Sequence, residues 1–430
     1  MKKVLVIAYY WPPAGGPGVQ RWLKFVKYLP EFGYEPIVYV PENADYPIVD
    51  KSMLDDIPEN LRILKQPISE PYRWASFLST KKTKRISSGI IPKEEKQSAL
   101  DKLLLWIRGN FFIPDARKSW VRPSVSFLSK IIQQENIQSI ITTGPPHSLH
   151  LIGLQLKQQF PNIQWTTDFR DPWTSIGYHK KLKLTKASQQ KHKALEHQVL
   201  ISCDKIVVTS GTTKNEFRAL TQKPIKVITN GFEPLVAKAG TLDEKFTISH
   251  IGSLLTDRNP TVLWDVLQDL VHEHKALGEH LNIRLIGVVG EAVLQSLEKY
   301  GLADFVTNLG YVGHDEVLQY QHRSQVLLLT EINAEETKGI IPGKLFEYLN
   351  AQRPILAIGP MGWEAGQMVE ATESGVYFRS NDKNGLKKVL LNWYGAYKNN
   401  SLQVAPSGIE KYSRRSLTKS LAEYIAWESS

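Results

Sequence analysis

The sequence predicts an α/β chain of two tandem doubly wound units, each a parallel sheet with helices on both faces. Three observations lead there. At 430 residues the chain is long for a single core, and two domains are the ordinary division. Apolar runs of strand length alternate with amphipathic helical stretches, and strands buried on both faces read as such continuous runs. The alternation also restarts after ITNGFEP, so the pattern is run through twice.

KKVLVIAYY opens as a strand, followed by the helix VQRWLKFVKYLPEFG, closed by Gly33, and the strand EPIVYVP. A long irregular excursion with short helices is expected to about Asp115. SWVRPSVSFLSKIIQQEN is then a helix, IQSIITTG a strand, HSLHLIGLQLKQQF a helix and IQWTTDF a strand. A long basic helix leads to DKIVVTS, GTTKNEFRALTQ and IKVITNG. The second run begins with the strand FTISHIGSLL, the helix NPTVLWDVLQDLVHEH and the strand LNIRLIGVVG. EAVLQSLEKYG, DFVTNLGYV, HDEVLQYQHR, QVLLLTEI, PGKLFEYLNAQ and RPILAIG continue it. The expected division is 1–234 and 235–408. In such sheets ligands sit beyond the carboxyl ends of the strands, so a cleft between the units is the expected site.

Composition narrows the class. Hydrophobic residues at 42% and charged residues at 22% fit a soluble globular chain. The single cysteine, Cys203, has no partner for an internal disulfide, which fits a reducing cytosol. It precedes an apolar strand and reads as buried rather than nucleophilic. The apolar start MKKVLVIAYYWPP reads as a first strand rather than a leader, and no uninterrupted run has spanning length. A cytoplasmic location is expected.

Lysine and arginine total 53 against 43 acidic residues, a net charge of +10, which favours polyanions. The charge gathers in KKTKR (81–85) and from His179 to Lys193. Between them LDKLLLWIRGNFFIPDARKSW (100–120) interleaves aromatic and basic residues. Two readings stand: a peripheral contact with an anionic membrane at its inner face, or a helix packed on its own core. Nucleic acid is set aside, because the basic residues accompany neither a stacking platform nor a recognition helix.

The informative residues are those after strands. In TKGIIPGKLFEYLNAQRPILAI, Gly343, Lys344 and Glu347 share one helix face, while Leu345, Tyr348 and Leu349 share the other. A glycine lets backbone amides approach a ligand, and a helix start attracts anions. Lys344 adds a charge-assisted contact worth roughly 1.5–3 kcal/mol, and Glu347 is free to accept ribose hydroxyls. The alternative is a surface pair worth about 0.2–0.5 kcal/mol, and this segment alone does not choose. GSLLTDRNP (252–260) supplies a second strand-end glycine, Arg258 and another helix start. WPPAGGPGVQR (11–21) is a third glycine turn, without an intact G-x-G-x-x-G. Glu42 beyond the second strand leaves a dehydrogenase open.

GPPHSLH (144–150) brings His147 and His150 to a helix start, and TTDFRDPW (166–173) gathers Asp168, Arg170 and Asp171 after a strand. Such groups suit sugar hydroxyls. The competing assignment has His147 capping its helix and Arg170 paired to Asp171, with His150 and Trp173 structural. No zinc spacing, G-x-S-x-G elbow or G-x-x-x-x-G-K-[ST] loop occurs. No D-x-D follows a strand, so no metal or cofactor is expected, and cations with helix ends are left to hold a diphosphate.

Together VLVIAYYWPPAGGPGVQRWLKF, GPPHS, DFRDPW, ITNGF, GSLLTDRNP and PGKLFEYLNAQRPILAI resemble the glycosyltransferase family 4-like enzymes of the twin-Rossmann (GT-B) fold. KYSRRSLTKSLAEYIA resembles the terminal helix that crosses back in this fold, which returns 409–430 to the first domain. The resemblance implies a retaining, metal-independent transferase in polysaccharide synthesis. A nucleoside-diphosphate sugar would lie on the second domain and a glycan or lipid-linked acceptor on the first. It implies donor binding by Gly15, Gly16, Gly252, Ser253, Arg258, Gly343, Lys344, Leu345 and Glu347. Arg258 and Lys344 would neutralise the leaving diphosphate. His147, Asp168, Arg170 and Asp171 would stand on the sugar and acceptor side, with His147 and Asp168 nearest the transferred sugar.

Two departures stand. Gly339 occupies the place of the first of two family glutamates, and Ser253 that of an arginine. A nucleotide-sugar epimerase of the same fold and a non-catalytic nucleotide-sugar or glycan binder are the other readings.

Overall fold

The computed structural model describes residues 1–69, 99–175, 179, 182–234 and 241–426. The chain forms two compact units, Met1–Asn230 with Arg414–Ser430, and Gly231–Ser413.

Unit 1 is built on β1 (Lys2–Ile7), β2 (Tyr34–Pro41), β3 (Arg62–Gln66), β4 (Ser139–Gly144), β5 (Gln164–Phe169), β6 (Lys205–Val208) and β7 (Ile225–Val227). All pairs are parallel, in the order β3-β2-β1-β4-β5-β6-β7. β1 is an inner strand, where Leu5 registers with Ile37 on one side and Ile140 on the other. Its side chains alternate between two cores. Leu5 and Ile7 pack with Trp120, Leu128 and Ile152, while Val4 and Val6 pack with Trp22, Val26 and Leu421. Full burial of such a side chain contributes roughly 1.5–3 kcal/mol. The helix Pro17–Tyr28 has proline in its first turn, and a short 3-10 turn ends at Gly33 with φ 84°. The helix Arg414–Ile425 covers the same face, and Tyr34 Oη donates to the Ala422 carbonyl at 3.2 Å.

Unit 2 contains β8 (Phe246–Ile251), β9 (Leu281–Ile286), β10 (Val306–Gly310), β11 (Val326–Thr330), β12 (Ile355–Gly359) and β13 (Gly375–Arg379). The order β10-β9-β8-β11-β12-β13 is again all parallel. Strand order reverses between β1 and β4 in unit 1, and between β8 and β11 in unit 2. Such switch points open a crevice at the carboxyl ends.

The main departure from the sequence expectation is β3, which lies inside the supposed irregular excursion. RILKQ is an edge strand with exposed and half-buried positions, so it lacks the continuous apolar run that marks the inner strands. The stretch 100–120 begins with the helix Ala99–Phe111, on which Leu105 is buried while Leu103, Trp106 and Phe111 are exposed. It thus carries features of both sequence readings. KKTKR (81–85) lies outside the described residues. Among those described, no helix is long and apolar enough to cross a membrane.

Candidate functional site

In unit 2 the switch between β8 and β11 gathers the residues singled out from the sequence. FTISHI is buried along its length and leads into Gly252, whose φ of 107° suits a residue without a side chain. A Cβ there would stand 3.0 Å from Lys344 Nζ, so the glycine also makes room for the lysine. Lys344 is the second residue of the helix Gly343–Ala351. Pro342 stands just before this helix in an extended conformation, and no side chain caps the first N–H groups. Those of Gly343 and Lys344 can address an anion.

Arg258 ends a short turn after β8 and donates to Glu331 through Nε at 2.9 Å and Nη2 at 3.1 Å. Glu331 directly follows β11, has no exposed side-chain surface, and accepts from the Ile332 N–H at 2.9 Å. Among the described residues Lys344 has no carboxylate of its own. Its Nζ lies 3.1 Å from Nε2 of the buried His250. Burial, and then the charge of Arg258, push the Lys344 pKa down to about 7, against the pull of Glu331 and Glu347. Arg258 and Lys344 thus both stand at the carboxyl ends of β8 and β11, the first through Glu331 and the second beside His250. Glu347, three residues along the helix, accepts from Gln321 Nε2 at 2.9 Å. Leu345 is fully buried and its N–H donates to the Pro342 carbonyl at 3.0 Å, while Ser253 is exposed.

In unit 1 the turn after β1 is held by the Gly15 N–H, which donates to the Ile48 carbonyl at 3.0 Å. Gly16, with φ 108°, precedes the helix Pro17–Tyr28, which has neither a side-chain cap nor an acid in its first turn. Arg170 packs onto that helix start: a Cβ on Gly18 would fall 1.5 Å from its Nη1. Its Nε donates to the Gly144 carbonyl at 3.2 Å and its Nη2 to the Pro145 carbonyl. Burial raises the Asp171 carboxyl, with Arg170 opposing.

His147 is buried and stacked on Trp173, with centroids 5.0 Å apart and planes 2° from parallel. Neither ring nitrogen has a partner among the described residues. Burial, then the charges of His150 and Arg170, hold its pKa well below the usual value, so the ring is neutral at physiological pH. A neutral imidazole both donates and accepts, which suits a hydroxyl. His150 is structural, with Nδ1 2.8 Å from Thr142 Oγ1.

Asp168 differs from the expectation of a sugar-facing acid. It has no exposed surface, and its carboxylate is filled by Arg21 Nη2 at 2.9 Å, Trp22 Nε1 at 2.7 Å and Thr143 Oγ1 at 2.9 Å. Arg21 also donates to the Thr229 carbonyl at 2.6 Å. The acid therefore ties the helix Pro17–Tyr28 to β4 and β5 and holds the adjoining turns in place.

Four participants escaped the sequence reading: Gly18, Arg21, His250 and Glu331. Glu331 carried a usable signal, since an acid directly after the apolar run VLLLT stands at a strand end. Arg21 and His250 looked like ordinary helix and strand residues.

The sequence matches no protein-family model and no curated protein. Comparison of folds does find neighbours over nearly the whole chain. The lipopolysaccharide outer core galactosyltransferase WaaB is 13% identical, with TM-score 0.58 over 99% of each chain. Anabaena HepE, solved in complex with UDP-glucose, is 12% identical, with TM-score 0.54 over 98% of this chain and 95% of that one. A putative UDP-N-acetylglucosamine 2-epimerase from Listeria monocytogenes is 11% identical, with TM-score 0.52 over 98% and 95%. The chain has the GT-B fold, two Rossmann-like units with a returning C-terminal helix. Transferases and an epimerase share it, so the activity has to be argued from the site.

Proposed function

We propose that this chain is a glycosyltransferase that takes its sugar from a nucleoside-diphosphate donor held by unit 2. One observation carries the reading: Lys344, Arg258 and an uncapped helix start converge beyond β8 and β11 around Gly252. Cations with free N–H groups suit a diphosphate, whose charge grows as the glycosidic bond breaks. Glu331 holds Arg258 in orientation and leaves Nη1 to reach the leaving group. Glu347 grips the ribose. The UDP-glucose bound to HepE and the activities that WaaB and the Listeria protein are named for support a nucleotide sugar as the ligand class.

On unit 1 the neutral His147 meets a sugar or acceptor hydroxyl, and Arg170 with Asp171 flanks it. Asp168 acts through Arg21 as an anchor rather than by contact. The acceptor in this reading is a glycan or lipid-linked glycan of polysaccharide synthesis, used at the cytoplasmic side of a membrane. Retention of configuration and metal independence belong to the same proposal.

The test is a panel of UDP-, GDP- and ADP-sugars with oligosaccharide and lipid-linked acceptors, read as diphosphate release. Release that requires acceptor, and falls at least tenfold in Lys344→Ala, supports transfer. Conversion of the donor with no acceptor present identifies an epimerase instead. Donor binding without turnover against any acceptor identifies a binding protein.

A further inference from the structure

We propose that His250 is a positioning residue of the unit 2 anion site: its ring, and no carboxylate, holds Lys344, so that binding a diphosphate takes up one proton. The inference rests on the reading of that site as a diphosphate site and specifies how its charge is supplied.

Among the described residues, Arg258, Glu331, Glu347 and His250 act on the lysine. On the loop after β8, Arg258 stands as a second cation. Beyond β11, the Glu331 carboxylate is occupied by two Arg258 nitrogens at 2.9 and 3.1 Å and by the Ile332 N–H at 2.9 Å. On the lysine's own helix Glu347 is engaged by Gln321 at 2.9 Å. From β8 only His250 remains, with Nε2 3.1 Å from Nζ and Nδ1 lacking a partner among the described residues. Gly252 closes the site against the lysine from the same strand end.

A neutral imidazole suits both protonation states of its neighbour. With Nδ1 protonated, the Nε2 lone pair accepts from the ammonium; with Nε2 protonated, the ring donates to the free amine. A carboxylate would pin the proton in place. The histidine lets the empty site shed a charge that Arg258 opposes, and regain it when an anion enters. Burial and Arg258 depress the lysine, while burial, Lys344 and Arg258 depress His250, so the exchangeable proton belongs to the lysine. Affinity is then full below about pH 7 and falls as pH rises, tenfold per unit for a single linked proton.

The experiment is calorimetric titration of the full chain with UDP, GDP and ADP between about pH 7.5 and 9, where a terminal phosphate is already fully ionised. Buffers of differing ionisation enthalpy report proton uptake. The result expected for the diphosphate that binds is uptake of about one proton and affinity falling about tenfold per pH unit. Lys344→Met flattens the pH dependence. His250→Leu loses about tenfold in affinity with an unchanged melting temperature, and His250→Gln, whose amide also donates and accepts, restores it. Binding with a flat pH profile and no proton uptake overturns this inference and leaves the diphosphate site standing. So does unchanged affinity in a folded His250→Leu. No binding of any of the three overturns both.

Discussion

Replacing Asp168 by Asn separates an anchoring acid from one that touches substrate. The substitution keeps the shape and removes the charge that three side chains of unit 1 address, leaving Arg21 buried with 1% of its surface exposed. Breaking a buried ion pair from one side costs roughly 3–5 kcal/mol, because the surviving charge is stranded. For a unit of this size each kcal/mol lowers the melting temperature by about 2–4 °C, so the expected drop is about 6–20 °C. Scanning calorimetry reads it, confined to the transition of unit 1. Arg21→Met with Asp168→Leu should recover most of the loss, since removing both partners leaves no unpaired charge. The pH dependence follows. Burial alone would raise the carboxyl; Arg21, Trp22 and Arg170 outweigh it and hold it below its ordinary value of 3.8. Its stabilisation is present above that value and disappears as pH falls through the lower folded one. A melting shift under about 2 °C combined with lost turnover would refute the anchoring role and return Asp168 to the substrate.

Two further predictions concern the turns. Gly18→Ala drives a Cβ into Arg170 Nη1 and forces the guanidinium off the Gly144 and Pro145 carbonyls. Unit 1 should lose roughly 2–3 kcal/mol in urea unfolding, and Gly18→Ala with Arg170→Ala should show that the two losses are not additive. Glu347→Ala should weaken nucleoside diphosphate binding about tenfold more than it weakens inorganic pyrophosphate binding, because the carboxylate addresses the ribose. Competition between the two ligands measures it, and equal losses would contradict that assignment.

The fold was legible because inner strands such as VLVIA and VLLLT are buried on both faces and read as unbroken apolar runs. The edge strand β3 was not, since an edge needs no such run. At the site, Lys344, Arg258 and Gly252 were visible because glycines and cations after strands carry a local physical signature. Their partners were hidden. Glu331, His250 and Arg21 act through pairings across 73, 94 and 147 residues of sequence, and no local pattern records such a pairing. Asp168 shows the converse: its position beside a strand end resembled a substrate-facing acid, while its three donors lie on other elements. Leu345 likewise stands in the right segment with its side chain turned into the core.

The account stands on an anion grip beyond β8 and β11. Titration calorimetry of UDP, GDP and ADP at pH 7 against the unaltered chain and Lys344→Met tests it directly. One diphosphate should bind one-to-one and lose at least tenfold in affinity in the variant, at an unchanged melting temperature. Equal affinity in both proteins, or no binding of any diphosphate to the unaltered chain, would contradict it.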